Sequence, residues 1–255
     1  MEINLSIYVC LTLTSIGSWF FSTVAGGGSS LILMPVIGSF LGAQAIPPVT
    51  TVGGIFGNCE RVFVFRDHIR WDLIAWEFPG SISGACLGAF TLTIIHTEWL
   101  SFAIGIFLLA SAANYVRKNY LFPQQESSFQ VRPWYFLPGG FIYALLSGIL
   151  GSMGPILAPF YLNYGLTKEE LLATQAANRA VIHMIKVFAY AYFGILTLHD
   201  LSFGLLVGLA AFPGNWLGHR VLAKISEQKF KQLVIGFVAF SGLLMLWEQH
   251  ELLGF

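Results

Sequence analysis

Three basic side chains share one face of a segment that has the composition of a lipid-embedded helix. In "TQAANRAVIHMIK", Thr174 to Lys186, the residues Arg179, His183 and Lys186 fall at i, i+4 and i+7, which places them on one helical face. Gln175 lies four residues before Arg179 and joins that face, and Asn178 is adjacent. An arginine at the centre of a membrane span costs about 2.5–3.5 kcal/mol on insertion scales. No acidic residue shares the span beyond Glu169 and Glu170 at its start. A cationic face without a local counter-charge suits an anionic substrate. The competing reading is a structural pair with an acid on another helix, for which Glu60 and Glu77 are the candidates. His183 reads either as a packed core histidine or, beside Arg179, as a group that titrates during transport.

A second signal is "AGGGSSLILMP", Ala25 to Pro35. Glycine inside a helix costs about 1 kcal/mol relative to alanine, so three in a row mark a break. A short helix opening after such a break has N–H groups with no helical acceptor. The helix dipole adds partial positive charge there. Together these make an anion site, with Gly27 and Gly28 allowing close approach and Ser29 and Ser30 adding hydroxyls. The second half of the chain repeats the pattern. "GGSSLILMP" from Gly27 aligns without a gap with "GSMGPILAP" from Gly151, and "FPGSISGACLG" from Phe78 resembles "FPGNWLGHR" from Phe212. The second break offers Ser152 and Gly154, with Pro155 suited to a first helical turn. Close helix packing by small residues is the alternative use of both breaks. In the first half, "PPVTTVGGIFGNCERVF" corresponds to the Thr174–Lys186 segment. Thr51 and Thr174 hold similar places, while Asn58 and Arg61 echo Asn178 and Arg179 at a different spacing. Snorkelling toward the membrane surface is the bland account of Arg61.

The elements that must position these residues are apolar. Of 255 residues, 56% are hydrophobic and only 10% charged, against about 25% charged in soluble domains. The chain reads as an all-α, polytopic integral membrane protein in a lipid bilayer. The segments are Ile3 to Val24, Ser29 to Leu41, Pro47 to Phe65, Leu73 to Ile95, Trp99 to Val116, Trp134 to Leu150, Pro155 to Tyr164, Leu171 to Leu196, Leu201 to Ala223 and Phe230 to Trp247, about 8–10 of which are membrane segments. The polar stretch after Val116 divides the chain into a first repeat (1–116), a cytoplasmic linker (117–133) and a second repeat (134–255). If both short segments cross, the halves are inverted. Arg61, Arg66, Arg70, Arg117, Lys118, Arg132, Lys168, Arg220, Lys224, Lys229 and Lys231 then lie on the cytoplasmic side. Glu2, Glu98, Asp200, Glu248 and Glu251 fall outside, as do both termini, in keeping with the positive-inside rule. Inverted repeats would bring the two breaks together near the bilayer midplane.

Other classes are disfavoured. The net charge of zero offers no nucleic-acid surface. "GGGSS" lacks the lysine of a phosphate-binding loop, and no H-E-x-x-H motif is present, so no cofactor, metal or ATP-driven step is expected. Cys10, Cys59 and Cys86 match no metal spacing and read as buried small residues. His96, His199 and His250 lack aligned partners for catalysis. The N-terminus has no basic leader and reads as a retained first span. Trp71, Trp76, Trp99, Trp134 and Trp247 fall near span ends, as an interfacial belt would place them.

The chain resembles the sulfite exporter TauE/SafE family of membrane permeases. The resemblance rests on "STVAGGGSSLILMPVI", "PVTTVGG" and "HIRWDLIAWEFPGSISGACLGAF" in the first half. In the second it rests on "GILGSMGPILAPFYL", "LLATQAANRAV", "GILTLHDL" and "AAFPGNWLGHRV". The first half is similar to a TauE-like member. Its second break, "GSMGP", departs from a glycine triplet. The resemblance implies a secondary transporter, not an enzyme, exporting a small sulfur oxyanion or sulfonate such as sulfite or sulfoacetate from the cytoplasm. The implied location is the plasma membrane, as in a bacterial inner membrane. The alternative is an anion channel or a permease for another small anion such as thiosulfate.

Overall fold

A computed structural model describes residues 5–94, 98–121 and 131–248. Within them the chain forms ten α-helices and no strand. In order they are α1 (Leu5–Val24), α2 (Ser29–Leu41), α3 (Ile46–Val64), α4 (Trp71–Leu92), α5 (Glu98–Val116), α6 (Phe136–Leu150), α7 (Ala158–Tyr164), α8 (Lys168–Tyr192), α9 (Leu198–Leu222) and α10 (Glu227–Glu248). Helix α1, the stretch Pro133–Leu150 and α9 are each long and apolar enough to cross a membrane, and α2 is a shorter apolar helix. The helix is the single-segment solution to spanning lipid because it satisfies its own backbone. Glu2, His96, His250, Glu251 and linker residues 122–130 lie outside the described residues, as do the side chains of Glu98, Trp99 and Glu248.

The apolar runs locate the helices, but polar first turns extend two of them. Helices α8 and α9 begin three residues before Leu171 and Leu201, each on a capping box. Thr167 Oγ1 accepts from the Glu170 N–H while the Glu170 carboxylate accepts from the Thr167 N–H at 2.9 Å. Thr197 and Asp200 repeat the exchange at 3.1 Å in each direction. Helix α7 is shorter than its apolar run, because Gly154 to Leu157 form a turn first. Beyond α5, Arg117–Leu121 continue as a wide π-helical turn into the stretch read as linker. The cysteines also differ from expectation. Cys59 and Cys86 face outward and Cys10 is half-buried, because the first two point away from the bundle interior. Trp71, Trp76, Trp134 and Trp247 are exposed.

Side-chain contacts give the helix directions. Ser15 Oγ donates to the Val207 carbonyl at 2.7 Å and Thr23 Oγ1 to Asn215 Oδ1 at 2.8 Å. Eight residues on α1 thus match eight on α9, so the two run parallel. Helix α3 runs with them, since Val52 meets Gly204 and Asn215 Nδ2 donates to the Gly57 carbonyl. Helices α4 and α6 are also parallel. Gly80, Gly84 and Gly88 form a smooth stripe on α4, and a Cβ on each would strike the carbonyl oxygens of Leu137, Phe141 and Leu145 in turn. This is the close approach that small residues at four-residue spacing allow. Helix α3 crosses α8 in the opposite sense, with Gly54 against His183 and the Arg70 N–H on Thr174 Oγ1. Helices α5 and α10 are likewise antiparallel, meeting at Gly105 and Gly242.

One end of the bundle is charged. Arg70 pairs with Asp72 at 2.8 Å and with Glu170 at 3.6 Å, and Lys168 with Glu169 at 3.4 Å. The Asp72 hydrogen bond raises the Arg70 pKa above its ordinary value. Lys168 Nζ also donates to the Leu222 and Ile225 carbonyls, and its N–H to Glu227. The α3–α4, α7–α8 and α9–α10 connections therefore meet at this end. Two apolar clusters flank the interior. One gathers Leu11, Leu33, Ile37, Val49, Phe203 and Val207. The other gathers Leu73, Phe136, Tyr161, Ile182, Phe230 and Val234.

Candidate functional site

The first break is made by three glycines with positive φ: Gly26 at 78°, Gly27 at 131° and Gly28 at 94°. An L side chain in such backbone is strained by about 1–2 kcal/mol. Close approach adds a second reason, because a Cβ on Gly27 would sit 2.8 Å from Arg179 Nη1. Helix α2 then opens at Ser29 with no side-chain cap, leaving first-turn N–H groups without helical acceptors. Ser30 Oγ is buried there with no partner.

The second break turns at Gly151 (φ 90°) and Gly154 (φ 55°). Its Gly151 carbonyl accepts from Lys186 Nζ, from Thr51 Oγ1 at 3.4 Å and from Ser147 Oγ at 3.5 Å. Lys186 also donates to Ser147 Oγ at 3.1 Å. The lysine is fully buried and sits at the C-terminal end of α6, where the helix dipole favours a cation. This contact explains its presence without a ligand.

Arg179 lies between the breaks. Its Nη2 donates to the Gly154 carbonyl at 3.0 Å, its other terminal nitrogen abuts Gly27, and its guanidinium stands 5.5 Å from the Tyr143 ring centroid. It is 8% exposed. Among the described residues no carboxylate comes within ion-pairing distance of it. The two acids considered as its partners have other neighbours. Glu60 lies 3.7 Å from His219 Nδ1, and Glu77 accepts a hydrogen bond from the Tyr161 hydroxyl.

The second buried arginine is held more fully. Arg61 Nε donates to Asn215 Oδ1 at 3.1 Å, and Nη2 donates to Thr23 Oγ1 at 2.8 Å and to the Trp19 carbonyl at 3.3 Å. Its guanidinium also lies 4.9 Å from the Trp19 ring centroid.

Between these groups is a narrow polar cleft. Gly28, Ser29, Ser30, Asn58, Arg61, Ser152, Arg179 and His183 line it, joined by Trp19, Ser22, Leu33, Thr50, Gly54 and Val207. Both arginines are present and no carboxylate is, so the cleft is net cationic. Ser22 Oγ, Ser30 Oγ, Asn58 Oδ1, His183 Nδ1 and Trp19 Nε1 are buried in it without partners. Such groups are expensive when unsatisfied and fit a polar occupant. Among the described residues no three His, Cys, Asp or Glu side chains gather as a metal site requires.

Six residues singled out in the sequence do not line this cleft. Gly27 backs Arg179, and Gly154 supplies the carbonyl that Arg179 donates to. Thr51 and Lys186 fasten Gly151. Gln175 and Asn178 turn to a smaller pocket on the far side of Arg179, shared with Glu77, Tyr143 and Tyr161. Conversely, Trp19, Thr23 and Asn215 were not anticipated. Asn215 directly follows the "FPG" of α9, as Ser81 follows that of α4. The aligned motif therefore carried a signal for the polar group that holds Arg61.

Comparison with known proteins gives one finding. The family model for the sulfite exporter TauE/SafE matches residues 11–245. No curated protein and no solved structure matches the chain.

Proposed function

The chain belongs to the sulfite exporter TauE/SafE family of membrane transport proteins, and from that premise we propose that it is a secondary carrier exporting a small sulfur-containing anion. Sulfite, sulfoacetate or a related organosulfonate would occupy the cleft between the two breaks. The Ser29 and Ser30 N–H groups, the serine hydroxyls of both breaks and Asn58 would surround its oxygens. Arg179 would balance its charge. The observation that carries this reading is the convergence of both breaks on a buried arginine that has no acidic partner. A fixed cation in a low-dielectric site leaves a large electrostatic gain for a bound anion.

Movement would come from rocking one half against the other. The helix pairing favours an inverted two-fold relation between α1–α5 and α6–α10. Under that exchange α1 on α9 becomes α6 on α4, while the α3–α8 and α5–α10 pairs map onto themselves with opposed directions. The charged end, which gathers Arg70, Lys168 and their partners, would face the cytoplasm of a cell bounded by this plasma membrane, with both termini outside. The test is anion flux into proteoliposomes. The reading expects saturable, selective sulfite or sulfoacetate counterflow by the wild-type protein. Conductance without counterflow would instead establish a channel.

A further inference from the structure

The pocket on the far side of Arg179 holds a carboxylate that the anion reading leaves unused. Glu77 is 1% exposed at the middle of α4. One oxygen accepts from the Tyr161 hydroxyl of α7, and the other, Oε1, has no partner. Arg179 of α8 lines the same pocket. Three further buried polar groups open into it unpartnered: the Tyr143 hydroxyl of α6, the Gln175 amide and Asn178 Oδ1. Beyond Glu77, Arg179 and the two tyrosines, no titratable group among the described residues lines this tightly packed pocket.

Arg179 thus separates two compartments. One is cationic and lacks an acid; the other contains an acid and little else that is charged. Arg61, the other cation of the cleft, is held by Asn215, Thr23 and the Trp19 carbonyl, so Arg179 is the one guanidinium that lines both compartments, and with an anion in the cleft and an ionised Glu77 it would face two negative charges at once. We propose that Glu77 competes with the transported anion for Arg179 and takes up a proton when the anion wins, so that one proton travels with each anion. The inference rests on the anion reading above. The pocket suits both states of the carboxyl group. Ionised, Glu77 has the Tyr161 O–H and the Arg179 charge. Protonated, it keeps Tyr161, and its new O–H finds an acceptor in Asn178 Oδ1 or the Gln175 amide oxygen. The step is a simple exchange. Water on the side facing the open site supplies the proton, an Oε1–H bond forms, and the proton leaves to water once the anion departs and Arg179 is free again. Without the exchange, bound anion and ionised Glu77 would share one buried cation, an arrangement that low dielectric penalises severely.

The experiment uses the full chain in proteoliposomes containing a pH-sensitive dye. Sulfoacetate is the driving anion because both its acid groups stay ionised near neutral pH, so it carries no proton itself. Exchange of labelled for unlabelled sulfoacetate is followed in parallel. The wild type is expected to move protons in the same direction as net anion flow. In Glu77→Gln the anion-driven proton signal should fall by about tenfold or more, the scale of a typical coupling. Exchange should persist in that variant, with half-saturation at a lower sulfoacetate concentration because the internal competitor is gone. Wild-type anion flow without proton movement would overturn the proposal, and needs no variant to fold. Proton movement that survives in Glu77→Gln would overturn it too. Absence of sulfoacetate and sulfite exchange in the wild type would instead strike down the anion reading on which the proposal stands.

Discussion

The two buried arginines, Arg61 on α3 and Arg179 on α8, have opposite surroundings. Arg61 is fastened by three hydrogen bonds, to Asn215, Thr23 and the Trp19 carbonyl, and lies beside the Trp19 ring. Arg179 has a single hydrogen bond, to the Gly154 carbonyl, with a glycine at its other end. The breaks differ in parallel. The first is a run of three positive-φ glycines leading into a 13-residue helix. The second is clamped from behind by Lys186, Thr51 and Ser147 and leads into a helix of 7 residues. A cation anchored through two of its three nitrogens to three separate groups is a structural part. A cation with donors in reserve, facing unpartnered hydroxyls, is suited to hold something that comes and goes.

That contrast can be broken by substitution. The largest effect is expected at Arg179. Arg179→Ala should lower anion counterflow by about a hundredfold or more, as loss of a central electrostatic contact does. The variant should still purify as folded protein, because it gives up one hydrogen bond. Arg61→Ala should behave the other way. It removes the donor that ties Asn215, Thr23 and the Trp19 carbonyl together and opens a buried cavity. The expected loss is about 2–5 kcal/mol of stability, read as a lower melting temperature and a poor yield of folded protein. Equal melting temperatures for the two variants would dissolve the comparison.

Intermediate effects test the breaks. Gly27→Ala adds a Cβ 2.8 Å from Arg179 Nη1 in backbone with φ 131°. Displacing the guanidinium by a fraction of an ångström should reduce counterflow by roughly tenfold to a hundredfold. Lys186→Met removes the principal donor to the Gly151 carbonyl and should cost about 1–3 kcal/mol of stability, visible in thermal melts. Arg70→Ala should be the mildest change. Its pairs with Asp72 and Glu170 are partly exposed, so the melting curve should reflect a loss within about 1 kcal/mol that shrinks further with salt.

Much of this arrangement was legible in the chain itself. The apolar runs placed the helices within a few residues, since lipid permits little else. The glycine runs marked both breaks, and the spacing of Arg179 and His183 put them on one face of α8, where the cleft is. Lys186 satisfied the same periodicity but had a different task, because a buried lysine seven residues along reaches the carbonyl of Gly151 at the second break. Periodicity along one helix does not report such a partner. Gln175 and Asn178 went to the Glu77 pocket for the same reason: neighbouring helices divide a polar face between two compartments. Asn215 escaped notice because its role depends on α1, α3 and α9 meeting at one depth, a relation between residues up to 192 positions apart.

The most direct test of the central claim is a melting-temperature panel on the detergent-purified protein, with sulfite, sulfoacetate, thiosulfate, sulfate, acetate and chloride. A ligand at a hundred times its dissociation constant stabilises the folded state by about 2.7 kcal/mol when it binds only that state. The account expects a selective rise with a sulfur-containing anion in the wild type and none in Arg179→Ala. The same selective rise in Arg179→Ala would contradict it, because the anion would then be held somewhere other than between the two breaks.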